Sequence, residues 1–391
     1  MKSIIVSVCI AICFIGTAQK PETVYGFAKE QREQSWYETQ LKLWKAEIDK
    51  DKTNGNAWYN YYKAARGLRN LSSDNTDKRT EYQSLCAKIV EDAYTAIPYS
   101  FEANALKWAE GGNSKELFPY LKKAYEINPD DARIYEDLAT YYETAHNKTE
   151  YSKACQLMYN GNVINASILN WGYNMLSEVD QNAIIFTAGD NDTYSAWVVQ
   201  EAKQFRKDVK IVNLSLMIFD DYRNKLFKEL NMPPLDVVLE AAVTQEEFDK
   251  SKEMVINHFI ANGEKRPVYV AVSAIQSLNE KWSENLYLTG LTYKYATEEF
   301  DNTSIILRNY EHRYLMDHLK MTFFSSIGEK MADQLNGCYL PSMLKLYQHY
   351  KDSEQTAKMK ELEELLILIS HKSGQESEVM AIIGSNPIKT K

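Results

Sequence analysis

Cysteine is scarce in this chain of 391 residues: there are five, and two of them, Cys9 and Cys13, sit in the first apolar run. The other three, Cys86, Cys155 and Cys338, lie far apart. That spacing excludes a disulfide framework and a close metal-binding pair. It reads as three small buried apolar side chains, with one disulfide as the alternative in an oxidising compartment. Positive charge is also short: 45 Lys and Arg stand against 54 Asp and Glu, a net charge of −9. A mildly acidic chain with no basic run argues against nucleic acid and against an anionic membrane surface as partners. Beyond its start, the chain has no apolar run approaching the ~20 residues that a membrane-spanning helix needs. It also lacks a phosphate loop, a dinucleotide fingerprint and zinc-ligand spacing, so no organic cofactor is expected. His312 and His318 are six apart, a spacing that does not align well on one helix face, and they read as surface or packing residues. Ser195 and Ser215 lack the glycines of a nucleophile elbow.

The beginning of the chain carries an address. Lys2 is followed by the apolar run Ile4–Ile15 and then by Gly16-Thr17-Ala18. A short positive start, a short apolar core and small residues at the exit describe a secretory signal peptide cleaved after Ala18. The run is too short for a stable membrane anchor. Cys9 and Cys13 follow Val8 and Ile12, not the small residue expected before a lipid-modified cysteine. The mature protein is therefore expected in the periplasm or outside the cell, with no membrane span.

The next third is helical. Trp36, Leu43, Trp44 and Ile48 recur at helical spacing over Gln31–Asp49, and Asn54-Gly55-Asn56 interrupts them. Trp58, Tyr61, Tyr62, Ala65 and Leu68 mark a second helix, and Leu85, Ile89, Ala93 and Tyr94 a third over Tyr82–Ala96. Two turns then look alike: Ala93-Tyr94-Thr95-Ala96-Ile97-Pro98 and Ala124-Tyr125-Glu126-Ile127-Asn128-Pro129, each followed by a helix. Their prolines are about 31 residues apart, and the pattern resembles tetratricopeptide repeats, whose period is about 34. Such hairpins bury their apolar faces only by stacking, and the stack leaves a concave surface for a protein partner. The 27 tyrosines suit helix packing and sugar-facing surfaces alike.

From Asn182 the period changes. Ala183–Thr187 reads as a buried strand, Thr193–Phe205 as a helix and Val209–Leu216 as a second strand, so the two strands should be parallel with a right-handed crossover. Thr244 with Glu247 three residues on marks a helix start, and that helix should run to about Ala261. Pro267–Ile275 reads as a third buried strand and Asn285–Tyr295 as a further strand or extended segment. Helices are expected over Tyr310–Lys320, Leu340–Tyr350 and Glu354–Ile369. The fold class is thus α plus α/β: an N-terminal helical-hairpin array, then a small parallel-sheet α/β domain with C-terminal helices. The expected divisions are a signal peptide at 1–18, a repeat domain at 19–160, the α/β domain at 161–320 and a helical hairpin at 321–391.

Specific chemistry concentrates where the first strand ends. There Gly189, Asp190, Asn191, Asp192, Thr193 and Tyr194 form a tight acidic turn into a helix, and Asn213 ends the second strand. In α/β proteins ligands bind at that edge of the sheet. A carboxylate pair can bind a divalent cation, transfer a proton or bond sugar hydroxyls, so Asp190 and Asp192 are the candidate metal ligands. Asp and Thr at a helix start also simply cap free backbone amides. Capping, ligand binding and catalysis all remain open on the residues alone.

The acidic turn with Trp197, Gln200 and Glu201, the segment Asp208–Leu216, Lys265-Arg266-Pro267-Val268-Tyr269 and the segment Leu286–Tyr293 resemble one family. It is the soluble extracytoplasmic region of a Bacteroidota membrane-protein family of unknown function related to protein O-mannosyltransferases. The resemblance covers roughly Asn162–Leu319. Members carry a multi-spanning catalytic half that handles a lipid-linked sugar donor, and no such segment occurs in these residues. Here the helical repeats also precede the α/β region, which departs from the family's order. The resemblance therefore implies an accessory role toward glycans or their acceptors. The expected function is an exported, non-catalytic binding or scaffold protein of the cell envelope, with repeats holding a protein partner and the α/β domain a polar ligand or glycan. The alternatives are a glycan-related enzyme or transferase accessory subunit using the acidic turn, and a purely structural envelope subunit.

Overall fold

The computed structural model describes residues 19–112, 114–239, 244–262, 266–278, 284–322 and 326–384. The expected signal peptide, residues 1–18, lies outside them. The chain divides into two compact units. One holds the residues up to Tyr25 and Arg32–Glu110, and the other holds Gly26–Gln31 and the chain from Gly111 onward.

The first unit is four helices: α1 (Gln34–Lys50), α2 (Gly55–Leu71), α3 (Thr76–Ala96) and α4 (Phe101–Glu110). Asn54 and Asn75 start α2 and α3 by accepting from the amides of Ala57 and Lys78, which satisfies donors that a helix start leaves free. Tyr37, Trp44 and Ile48 bury one face of α1, and Trp58, Tyr62, Ala65 and Leu68 one face of α2. The two helices approach closely at Gly67, where a Cβ would stand 2.6 Å from the Tyr37 ring. At the far end, the Tyr62 hydroxyl donates to Glu110 (2.8 Å). α3 stops at Ile97, where the following Pro98 disfavours further helix.

The second unit begins with α5 (Phe118–Ile127), α6 (Tyr135–Thr144), α7 (Lys148–Asn160) and α8 (Ala166–Glu178). Then follow β1 (Ile184–Thr187), α9 (Asp190–Lys203), β2 (Lys210–Asn213), α10 (Asp220–Glu229), α11 (Gln245–Ala261) and β3 (Val268–Ala271). β4 (Leu286–Leu288) and β5 (Thr292–Tyr295) complete a five-stranded sheet of order β2-β1-β3-β5-β4. β1 lies parallel to both β2 and β3, as the sequence implies. The sheet as a whole is mixed, because β5 runs antiparallel to β3 and to β4. Only Thr289-Gly290-Leu291 links β4 to β5, and a link that short joins antiparallel strands. β1 is buried along its whole length. Its Phe186 meets Phe259 of α11 edge-on (5.3 Å), and Phe259 meets Phe227 of α10 (5.2 Å).

The expected boundary near residue 160 falls inside this second unit. α6 and α7 pack with the sheet region instead: Tyr151 meets the Trp197 ring of α9 (5.5 Å), and Lys210 of β2 pairs with Glu143 of α6 (2.9 Å). The unit ends with α12 (Asn302–Arg308), α13 (Asp317–Lys320), α14 (Glu329–Asn336), α15 (Leu340–Asp352), α16 (Thr356–Ser373) and α17 (Glu376–Ile383). The single helix expected over Tyr310–Lys320 is instead a wide π turn at Asn309–Arg313 followed by the short α13. The turn lets Asn309 donate to the Thr289 carbonyl (2.8 Å) while Tyr314 donates to Glu178. Cys86 and Cys155 are buried, Cys338 is half-buried, and all three thiols are free. Among the described residues no helix is long and apolar enough to cross a membrane.

Candidate functional site

From β1 the chain passes through α9 to β2 on one side, and from β2 it returns past β1 to β3 on the other. The C-terminal ends of β1 and β3 are therefore the switch point of the sheet, where open α/β folds leave a crevice for ligands. Two segments meet there: Ala188-Gly189 after β1 and the 3₁₀ stretch Val272–Ser277 after β3. Asp192, in the first turn of α9, fills the space between them. Its Oδ1 accepts from the Gly189 amide (2.9 Å) and the Thr193 hydroxyl (3.2 Å). Its Oδ2 accepts from the Ala188 amide (3.1 Å) and the Ser273 hydroxyl (2.7 Å). Asp192 is 2 % exposed. Burial raises its pKa above the ordinary aspartate value, and these four donors offset only part of that rise. The Asp192–Ser273 bond joins the β1 turn to the β3 turn across the switch point.

The other candidates split by direction. Gly189 and Asp190 are exposed, and Asn191 is half-buried with its amide donating to the Ala28 carbonyl (3.0 Å). Thr193 is buried, its hydroxyl 2.7 Å from that of Thr187 and accepting from Asn213 Nδ2 (2.8 Å). Asn213 Oδ1 accepts the amides of Ser215 (2.8 Å) and Leu216 (3.0 Å), which turns the chain out of β2. The Tyr194 hydroxyl meets Thr140 of α6 (2.8 Å). Asp192, Thr193 and Asn213 thus form one inward polar network, while Gly189 and Asp190, with exposed Ser215, form its rim. Both oxygens of Asp192 accept two hydrogen bonds each. Among the described residues no group of three or more His, Cys, Asp or Glu converges as a metal shell. His312 is exposed, and His318 packs 6.1 Å from the Tyr339 ring, where burial pushes its pKa down to about 4.

A second polar centre escapes the sequence reading. Glu178, at the end of α8, is buried under the β4–β5 turn. Its Oε2 accepts from the Leu291 amide (2.8 Å) and the Tyr314 hydroxyl, and its Oε1 from Thr289 (3.3 Å) and Thr292. Burial pushes its pKa up to about 7 against the pull of those donors. Gly290 makes room for this cluster: its φ is +154°, and a Cβ would stand 2.4 Å from Glu178 Oε2. A third network pairs Lys210 with Glu143, which also accepts from Tyr222 (3.0 Å). Next to it Glu229 pairs with His146 (3.4 Å) and Lys148 (3.0 Å), and these partners, His146 foremost, hold its pKa down to about 2 despite burial. The sequence signal for Glu178 is indirect: Leu286–Tyr293 is a distinctive segment, but nothing in it names a partner in α8.

Residues 168–257 match the family described as TMEM260-associated domain 2. The matched stretch runs from α8 into α11 and includes β1, the acidic turn, α9 and β2. The comparison with curated proteins returns no match. Among solved structures, the human IFIT1 dimer with PPP-AAAA aligns at 12 % identity with a TM-score of 0.27, covering 90 % of this chain and 68 % of that one. The human IFIT1 dimer with m7Gppp-AAAA gives 12 % identity and a TM-score of 0.27, covering 90 % and 67 %. Part of this chain, including the acidic turn, is thus similar to a TMEM260-associated domain.

Proposed function

We propose that the protein is a non-catalytic binding and scaffold protein of the cell envelope, an accessory to glycosylation. The observation that carries this reading is the TMEM260-associated stretch in the α/β half, since TMEM260 belongs with protein O-mannosyltransferase-related proteins. The helical hairpins supply the other half of the argument. Stacked hairpins expose side chains of successive helices on one concave face, which suits a protein partner. In this reading the acidic turn is chiefly a joint: Asp192 ties β1 to β3, and Gly189 and Asp190 form its solvent-exposed rim, the side from which a sugar hydroxyl approaches. The protein works in the periplasm or outside the cell, after removal of residues 1–18.

The test is made in cells that carry the protein. Its deletion should lower glycan occupancy on exported glycoproteins, and re-expression should restore it. The purified protein, given a lipid-linked sugar donor and acceptor peptides, should transfer no sugar. An unchanged glycoprotein pattern after deletion would remove the accessory role. Sugar transfer by the purified chain would replace it with an enzymatic one.

A further inference from the structure

The helical unit already holds a peptide, and the peptide is its own. Gln19–Tyr25 has no helix or strand partner, yet it is tied to α1 and α2 at three backbone groups. The Glu22 amide donates to Gln40 Oε1 (2.8 Å), the Glu22 carbonyl accepts from Trp44 Nε1 (2.8 Å), and the Val24 amide donates to Asn60 Oδ1 (2.8 Å). Groups from residues i and i+2 on one edge are the pattern of an extended strand lying against a neighbour. Here the neighbour is a row of side chains on two helices. Asn60 is aimed by its own amide, which donates to the carbonyl of Asn56 (2.8 Å). Gln40 is 0 % exposed and Asn60 1 %. Buried amide side chains are costly unless their acceptors are satisfied, and strap amides satisfy these two.

The strap is held by few side chains of its own. Val24 is buried at 3 % exposure, whereas Glu22, Thr23 and Tyr25 are exposed. Glu22 adds the Trp36 indole at 3.4 Å. Recognition is therefore mostly of backbone, with one apolar anchor and one acidic side chain near an indole. That is the logic by which grooves accept extended segments from other proteins.

We propose that the α1–α2 groove is a peptide-binding site and that Gln19–Tyr25 occupies it in cis as an internal competitor. Its partner is an extended segment with a β-branched residue in the place of Val24 and an acidic residue in the place of Glu22. This rests on the reading that the helical hairpins hold a protein partner.

The probe is the synthetic peptide Gln-Lys-Pro-Glu-Thr-Val-Tyr, and the protein is the full chain. Hydrogen exchange should show the Glu22 and Val24 amides opening at least ~10-fold more often than the buried amides of α1 and α2, as a locally released segment does. Excess peptide should speed exchange in the strap while α1 and α2 stay protected. In a full-chain Val24→Asp variant, labelled peptide should bind at least ~10-fold more tightly than to the unaltered chain, because the tethered competitor is weakened. Adding Gln40→Leu and Asn60→Leu should abolish that binding. Strap amides that exchange only on global unfolding would overturn the proposal, as would a folded Val24→Asp variant that binds no peptide. If Val24→Asp does not fold, the exchange measurement decides alone. Peptide binding together with an unchanged glycoprotein pattern in deletion cells would keep the groove and remove only the glycosylation role.

Discussion

Asp190 and Asp192 lie two positions apart and meet opposite environments. Asp190 is exposed at the rim of the turn, while Asp192 accepts four hydrogen bonds in the interior. Glu178 is the more consequential carboxylate for pH. Its ordinary value is 4.5 and its folded value about 7, so between those values the folded protein keeps a proton that the unfolded chain releases. Its contribution to stability is therefore complete below pH 4.5 and is lost as pH rises through about 7. The loss is on the order of 3 kcal/mol, since each pKa unit corresponds to about 1.4 kcal/mol. Urea denaturation at pH 5 and pH 8 should show the native protein weaker at pH 8 by an amount that Glu178→Gln largely removes. An identical pH difference in the variant would assign the effect elsewhere. Asp192 sits in a motif that is plain in the sequence, because an apolar run, a glycine and two acids are contiguous. Glu178 is illegible there: its partners Thr289, Leu291, Thr292 and Tyr314 lie more than a hundred residues away, and only folding assembles them.

Among the elements, α8 and α9 are set by one small residue. At Gly172 a Cβ would stand 2.6 Å from Ser195 Oγ and 2.8 Å from the Ser195 carbonyl carbon, so the two helices touch backbone to backbone. Alanine is the better helix former, which by itself would favour Gly172→Ala by about 1 kcal/mol. The clash dominates, because a backbone atom cannot move aside as a side chain can. The substitution should destabilise the protein by about 2 kcal/mol, the usual scale for overpacking. A gain in stability would mean that α8 and α9 are free to separate. Local signals marked many elements well: the apolar run gave β1, and Thr244 with Glu247 forms the capping box expected for α11. The hairpin β4–β5 was legible only as one extended run, Asn285–Tyr295. Its turn depends on Gly290 in a backbone conformation that the residue type permits but does not announce.

At the scale of the whole molecule, the stretch expected as a repeat domain, 19–160, is divided between the two compact units. α5, α6 and α7 carry the helical pattern of the preceding chain, yet Thr140, Glu143 and Tyr151 tie α6 and α7 to α9 and β2. Periodicity reports which face of a helix is apolar and says nothing of which neighbour covers it. The proposed roles divide in the same way: Asp192 joins the ends of β1 and β3 in the α/β half, and the groove of the helical unit is proposed to take peptide backbone. The central claim is that Asp192 is a buried joint and not a ligand. Thermal melting of the native protein, Asp190→Asn and Asp192→Asn, each with and without excess Ca²⁺, Mg²⁺ and a panel of mannose-bearing glycans, tests it most directly. The account predicts that Asp192→Asn lowers the melting temperature by several degrees equally in every condition, whereas Asp190→Asn, at an exposed position, lowers it by less. A cation- or glycan-dependent rise in the native protein that Asp192→Asn abolishes, with unliganded melting unchanged, would contradict it.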